Sequence, residues 1–334
     1  MSLPEPRANP LLLGQSTAEA ALLDAMRSGR IHHAWLIDGP EGVGKATLAF
    51  RFARRLLAGP APGLDLDPAD PVFRRIAAGS HADLLTVQRA WDEKRRRLRG
   101  EIVVDDVRRV ADFLRLTPAE DGWRVVVLDG AEHLNRNAAN ALLKVLEEPP
   151  SRAVLLLTCA APGRLLPTIR SRCRRLRAAR LGAADMKRLL AAALPEMPET
   201  ERARLADLAE GSPGRALLLA EEEGLRIAGR VDEILAAAPA IDLRRAYALA
   251  DELGRNDTGF STFMDLLLAA LARQVREAAR ASADAAGLAG PGRVWQALGR
   301  LQGETERFNL DKRQALVSAF ALLNGTPIEV FGPA

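Results

Sequence analysis

The chain has 334 residues and only two cysteines, Cys159 and Cys173. Two thiols cannot staple a chain this long, and no CxxC pair is present, so neither a disulfide framework nor a structural zinc site is expected. No uninterrupted apolar stretch reaches the roughly 18 residues of a membrane span. The opening MSLPEPRANP carries no apolar signal core. A cytoplasmic protein with no membrane partner is therefore expected. Charge of either sign is barely in excess: 47 Lys and Arg against 43 Asp and Glu leave a net +4, which permits contact with nucleic acid without arguing for it. No carboxylate cluster of the polymerase or nuclease kind is found. What is present is an ordinary globular balance, 48% hydrophobic and 27% charged, enough for two or three domains at about 150 residues each.

The first half alternates strand and helix signals. Residues 34–38 (AWLID) form an apolar run that enters a glycine-rich loop, and 45–58 reads as a helix stopped by Gly59-Pro60. Residues 83–87 and 102–104 read as short strands, with Asp105 or Asp106 capping a helix that follows. The nearly all-β-branched RVVVL of 124–128 is a strand covered on both faces. Residues 137–147 carry Ala139, Leu142, Leu143 and Leu146 at helical spacing, ended by Pro149-Pro150. Strands at 154–157 and at 173–181 complete the pattern. Such alternation predicts a parallel sheet with helices on both faces. From about residue 182 the signals are helical and rich in Ala and Leu. Ser212-Pro213 starts one helix, Asp242 caps another, and two more carry Phe260, Phe263, Met264, Leu267 and Leu271, then Leu316, Ala319, Phe320 and Leu323. Boundaries near 182 and 238 divide the chain into 1–182, 183–237 and 238–334.

The loop at 39–45 reads GPEGVGK between a strand and a helix, the context a phosphate-binding loop requires. Gly39, Gly42 and Gly44 let backbone N–H groups approach phosphate oxygens, and Lys45 would face the β- and γ-phosphates. The next position should carry a Mg²⁺-directing hydroxyl and is Ala46. Thr47 lies about 100° further round the helix and should miss the metal. Asp129, at the end of RVVVLD, stands where a second Mg²⁺-directing carboxylate belongs. An active hydrolase of this class has Glu next, but here it is Gly130, which can neither accept a proton nor orient water. Glu132 and His133 are expected to begin a surface helix. Such a site suits weak binding of ATP or ADP with Mg²⁺ and is poorly equipped for hydrolysis.

Taken together, GPEGVGK, DGAEHLNRNAANALLKVLEEPP, the Ser171-Arg172-Cys173 triplet, GSPGRA and FNLDKRQAL resemble the bacterial clamp-loader subunits of DNA polymerase III, AAA+ proteins that place a ring-shaped sliding clamp on primed DNA. The resemblance covers essentially the whole chain. It implies an AAA+ sheet domain, a small helical lid and a C-terminal helical collar through which five subunits assemble. Ala46 and Gly130 favour the delta-prime type, a non-hydrolysing stator, over the gamma/tau motor type, which carries an intact loop and an Asp-Glu pair. It further implies that Arg172, with Ser171 beside it, is an arginine finger presented to a neighbouring motor subunit. By the same resemblance, Gly14-Gln15 would lie beside the adenine, Thr158 or Cys159 would match sensor 1 and Arg215 would match sensor 2. The implied partners are gamma/tau and delta subunits, the clamp, and primer-template DNA through the assembled complex. Many relatives carry a four-cysteine zinc module after the phosphate-loop helix. Residues 59–102 contain no cysteine here, so no zinc is expected. The basic run Lys94–Arg99 in that place reads as a solvated hairpin, because no aromatic residues interleave its charges as on single-strand platforms.

Overall fold

A computed structural model describes residues 4–93, 97–120, 122–221, 223–254, 257–281 and 285–325. Two compact units divide it, 1–217 and 218–334.

The first unit opens with α1 (Ser16–Arg27), β1 (Ala34–Asp38) and α2 (Lys45–Ala58). After these come α3 (Pro71–Ala77), β2 (Leu84–Val87), and a two-stranded hairpin of β3 (Trp91–Asp92) and β4 (Arg97–Leu98). Then follow α4 (Val104–Arg115), β5 (Arg124–Leu128), α5 (Arg136–Glu147), β6 (Ala153–Cys159), α6 (Pro167–Arg172) and β7 (Arg174–Arg177). Three helices complete it: α7 (Ala183–Ala193), α8 (Glu199–Ala209) and the start of α9 (Pro213–Glu221). The sheet order is β2-β5-β6-β1-β7, parallel throughout. β1, β5 and β6 are buried along their whole length, as strands covered on both faces must be. Alternate residues feed two cores. Trp35, Ile37, Val125, Val127, Val154 and Leu156 meet Leu48, Phe52 and Leu22 on one face. Leu36, Val126, Leu128, Leu155 and Leu157 meet Val110, Leu142 and Ile169 on the other.

Two expected strands differ. Residues 102–104 make only an isolated bridge, Ile102 with Leu134, because Val103 N–H donates to the Asp106 carboxylate at 3.0 Å and starts α4 there. Asp106 thus serves the helix from its first turn and not from the cap itself. The last strand is Arg174–Arg177 and not 173–181. β1 ends at Asp38, whose carbonyl accepts from Ala178 N–H (2.7 Å), and beyond it the Ala179 N–H turns to the Gln15 side chain. Of the basic run Lys94–Arg99, residues 94–96 lie outside the described residues.

The second unit is helical: α10 (Gly224–Ala237), α11 (Leu243–Leu253), α12 (Asp257–Ala281), α13 (Ala285–Phe308) and α14 (Lys312–Leu323). Asp242 caps α11 by accepting from Arg244 N–H (2.9 Å). Phe260, Phe263, Met264, Leu267, Leu271, Leu316, Ala319 and Phe320 are buried, and the Phe263 and Phe320 rings meet edge to face. Among the described residues, no helix is long and apolar enough to cross a membrane.

Candidate phosphate-binding site

The loop from β1 to α2 is shaped by its glycines. Gly42 and Gly44 have φ of +72° and +97°, a region that costs other residues strain. At Gly39 a Cβ would lie 2.3 Å from the Ala178 carbonyl oxygen, so the residue that follows β7 can approach only a glycine. Lys45 starts α2, and its ammonium donates to the carbonyls of Gly39 (2.9 Å) and Pro40 (2.6 Å). Burial lowers its pKa, and the carboxylates of Glu132, Glu41 and Asp129 work in the other direction. The amine is thus held by two neutral oxygens in an acidic surround, a partnership an incoming phosphate can exchange. Ala46 is half-buried and Thr47 buried.

The start of α9 is docked on this loop. The Ser212 hydroxyl donates to the Glu41 carbonyl (2.8 Å) and accepts from Arg215 N–H (3.3 Å), while Gly214 N–H donates to the Gly42 carbonyl (2.9 Å). Arg215 is thereby placed beside the phosphate loop, and its Nη2 is buried without a hydrogen-bond partner. A glycine cradle, a desolvated lysine and an orphaned guanidinium nitrogen fit an anionic group. Lys45, Arg215 and the loop N–H groups would hold the phosphates of a nucleotide, which when bound supplies the γ-phosphoryl group. Gln15 is occupied structurally: its amide donates to the carbonyls of Val43 (3.1 Å) and Ala179 (2.8 Å) and accepts from Ala179 N–H (3.0 Å).

At the ends of β5 and β6, Thr158 donates its hydroxyl proton to Asp129 and accepts from Gly130 N–H (2.9 Å). Of the two residues considered for that position, Thr158 is the one that meets Asp129. The Cys159 thiol is buried and pushed up to about 12, first by desolvation and then by Glu132. Gly130 sits at φ +80°, and a Cβ there would lie 2.9 Å from His133 Cδ2. Glu132 and His133 do not begin a surface helix. They form a 3₁₀ turn, Ala131–His133, that brings Glu132 inward, where Oε1 accepts from Ala160 N–H (2.9 Å). Sequence reading missed this carboxylate because a short turn, and no periodic pattern, directs it. Among the described residues, no group of three or more His, Cys, Asp and Glu side chains could hold a metal.

Arg172 ends α6 and makes its contacts with α6 and α5. Its Nη1 donates to the Thr168 carbonyl (3.0 Å) and its Nη2 pairs with Glu147 of α5 (2.7 Å), both side chains partly exposed. Ser171 donates to the same Thr168 carbonyl (3.1 Å).

The family described as "DNA polymerase III, delta subunit" matches residues 14–181, half of the chain. The DNA polymerase III subunit delta' of Pseudomonas aeruginosa is 41% identical over 181 residues, 54% of this chain and 53% of that one. The DNA polymerase III subunit tau of Escherichia coli is 33% identical over 217 residues, 63% of this chain and 32% of that one. The chain thus spans about half the length of the first relative and a third of the second. A crystal structure of a DNA polymerase III gamma subunit-related protein from Thermotoga maritima is 18% identical with a TM-score of 0.43, over 91% of this chain and 99% of that one, a likeness too loose to carry weight. On the match across half its length, the chain belongs to the DNA polymerase III delta-subunit family of AAA+ clamp-loader proteins.

Proposed function

We propose that this chain is a delta-prime-type stator of the replicative clamp loader, which does not hydrolyse nucleotide itself and lends Arg172 to a neighbouring motor subunit. The observation that carries the reading is Gly130. A hydrolytic site needs a carboxylate directly after Asp129 to polarise water. Here the backbone at that position is left-handed, and the His133 ring occupies the space a side chain would enter. The position is built for glycine, and a glutamate would not fit without a local shift. The phosphate loop still suits a weakly held ATP or ADP, with Mg²⁺ short of a hydroxyl at Ala46. Assembly with gamma/tau and delta subunits, the sliding clamp and primer-template DNA belongs to the same proposal.

In this reading the guanidinium of Arg172 leaves Glu147 and meets the γ-phosphate on the adjacent subunit, stabilising charge as it develops. An arginine supplied in trans is worth about 10³–10⁵ in rate. The test is ATP turnover by a reconstituted loader with clamp and primed DNA, comparing wild type with Arg172→Ala and checking the assembly by gel filtration. A steep fall in turnover with the assembly intact is expected. Unchanged turnover would make Arg172 a surface charge. Turnover by this chain alone, lost in Lys45→Ala, would favour the motor reading.

A further inference from the structure

Two acids follow β5 beside the phosphate loop, and they are matched unequally. Asp129 Oδ1 accepts from the Thr158 hydroxyl, which is itself fixed by Gly130 N–H (2.9 Å). Glu132 has Oε1 satisfied by Ala160 N–H (2.9 Å), but its Oε2 is buried with no hydrogen-bond partner. A bare buried carboxylate oxygen costs the fold free energy, so the chain must hold it in place. Backbone does so. His133 N–H donates to the Gly130 carbonyl (2.9 Å) and Leu134 N–H to the Ala131 carbonyl (3.2 Å), while Ile102 N–H donates to the His133 carbonyl (2.8 Å) and Asn135 N–H to the Ile102 carbonyl (3.1 Å). Burial lowers the Lys45 pKa, and of the carboxylates that oppose this Glu132 comes first, ahead of Glu41 and Asp129. The unmatched carboxylate therefore bears on the lysine that would hold phosphates.

A magnesium ion would ordinarily shield phosphates from such a charge. It demands near-octahedral oxygen ligation and gives up its waters reluctantly. Here Ala46 offers a methyl where the loop needs a hydroxyl, and Asp129 is already engaged by Thr158. Among the described residues, no group of three or more His, Cys, Asp and Glu side chains could hold a metal. The donor set does not fit Mg²⁺. The positive charge at the site is the chain's own: the Lys45 ammonium and the Arg215 guanidinium, whose Nη2 is buried and unpartnered. These two cations suit a pair of phosphates. A γ-phosphate, which Lys45 would also have to hold, adds further negative charge within reach of Glu132, and burial weakens the screening between them. We propose that Glu132 sets the specificity of the phosphate loop, so that the site takes a nucleoside diphosphate without a divalent cation and disfavours the triphosphate. The inference rests on the phosphate-loop reading above, which it narrows from ATP or ADP with Mg²⁺, and it is independent of the part given to Arg172.

The test is isothermal titration calorimetry of the full-length chain with ADP and with ATP, each in EDTA and in excess Mg²⁺. In EDTA, wild type should bind ADP about tenfold more tightly than ATP, the factor expected of one additional like-charge contact in a partly screened site. Mg²⁺ should change the ADP affinity by less than about threefold, since the chain adds no ligand to the ion. Glu132→Gln keeps an oxygen for Ala160 N–H and removes the charge. It should tighten ATP about tenfold and ADP by less than about threefold, a change in ratio that a purely structural role would not produce. Lys45→Ala should abolish binding of ADP, and thermal melts establish that each variant keeps the fold. The wild-type ratio needs no variant, so the proposal can fail on that measurement alone. If neither nucleotide binds in either buffer, or if binding survives Lys45→Ala, the phosphate-loop reading falls and the inference with it. If nucleotide binds through Lys45 but ATP matches or exceeds ADP in EDTA, or Glu132→Gln moves both equally, the loop stands and the role of Glu132 falls. If Mg²⁺ tightens ADP about tenfold or more, the cation-free site is overturned.

Discussion

At the residue scale, the proposed role of Arg172 requires that its guanidinium be able to leave home cheaply. In the isolated chain it is held at 2.7 Å by Glu147, with side-chain exposures of 35% and 48%. Water reaches both partners, so Coulomb attraction is screened and the pair contributes about 0.2–1 kcal/mol. Glu147→Gln should therefore shift the stability measured in urea by less than about 1 kcal/mol. A loss of about 3–5 kcal/mol, the cost of breaking a buried pair, would mean that Arg172 is locked into its own subunit, and the trans reading would fail. The contrast within the chain is Arg54, 2% exposed, which donates to the carbonyls of Arg7 and Asn9 and stacks on Phe73. Burial draws its pKa down to about 10. That arginine ties down the N-terminal segment; Arg172 has no comparable anchorage.

At the scale of elements, the phosphate loop and the start of α9 act as one piece. Gly42 combines a positive φ with a Cβ position 2.4 Å from Ser212 Oγ. Gly42→Ala should cost about 1–3 kcal/mol, from backbone strain together with the displaced helix start. Gly59, at φ +94° and ψ 178° with no atom within 4 Å of its Cβ position, shows backbone strain without a contact: Gly59→Ala should cost about 1–3 kcal/mol. Adding Ser212→Ala to Gly42→Ala should give a double variant more stable than the sum of the singles predicts. Strict additivity in urea melts would mean the two elements are not coupled. This junction also marks how far the sequence can be read. The run RVVVL, the stripe on α5 and the glycines of 39–45 are local signals, and their elements lie where the pattern puts them. Ser212 and Glu41 are 171 residues apart, and nothing in either segment names the other. The same holds for the inward turn of Glu132 and for Trp91 across from Leu98, both set by a turn or a pairing register. β7 is shorter than its composition suggests for a related reason: apolar and basic residues continue to 181, but its partner strand ends at Asp38.

At the scale of the whole molecule, the proposed clamp-loader role would make the helical unit 218–334 the collar through which subunits assemble. Phe260, Phe263 and Phe320 are fully buried within this unit, so they are spent on folding and cannot also meet a partner. A surface that gathers other subunits must use apolar groups left outside. Phe308, at the end of α13, is 62% exposed, and Leu310 follows it two residues on and is also exposed. Between them Asn309 takes a φ of +52°, and Asp311 caps α14 by accepting from Gln314 N–H (3.0 Å). The corner is therefore held by its backbone, and its two apolar side chains are carried outward, with the Arg307 guanidinium over the Phe308 ring. Phe308→Asp with Leu310→Asp should leave the melting temperature of the isolated chain within about 4 °C, since exposed substitutions stay near ±0.5 kcal/mol each. In gel filtration with gamma/tau and delta subunits, the same variant should lose the hetero-oligomer peak, because a charge placed at the centre of an apolar contact is desolvated without a partner. If the variant assembles as wild type does, the collar contacts lie elsewhere on the unit. If instead its melting temperature collapses, the corner is part of the core. The two outcomes are separable because the melt is made on the chain alone and the assembly on the mixture.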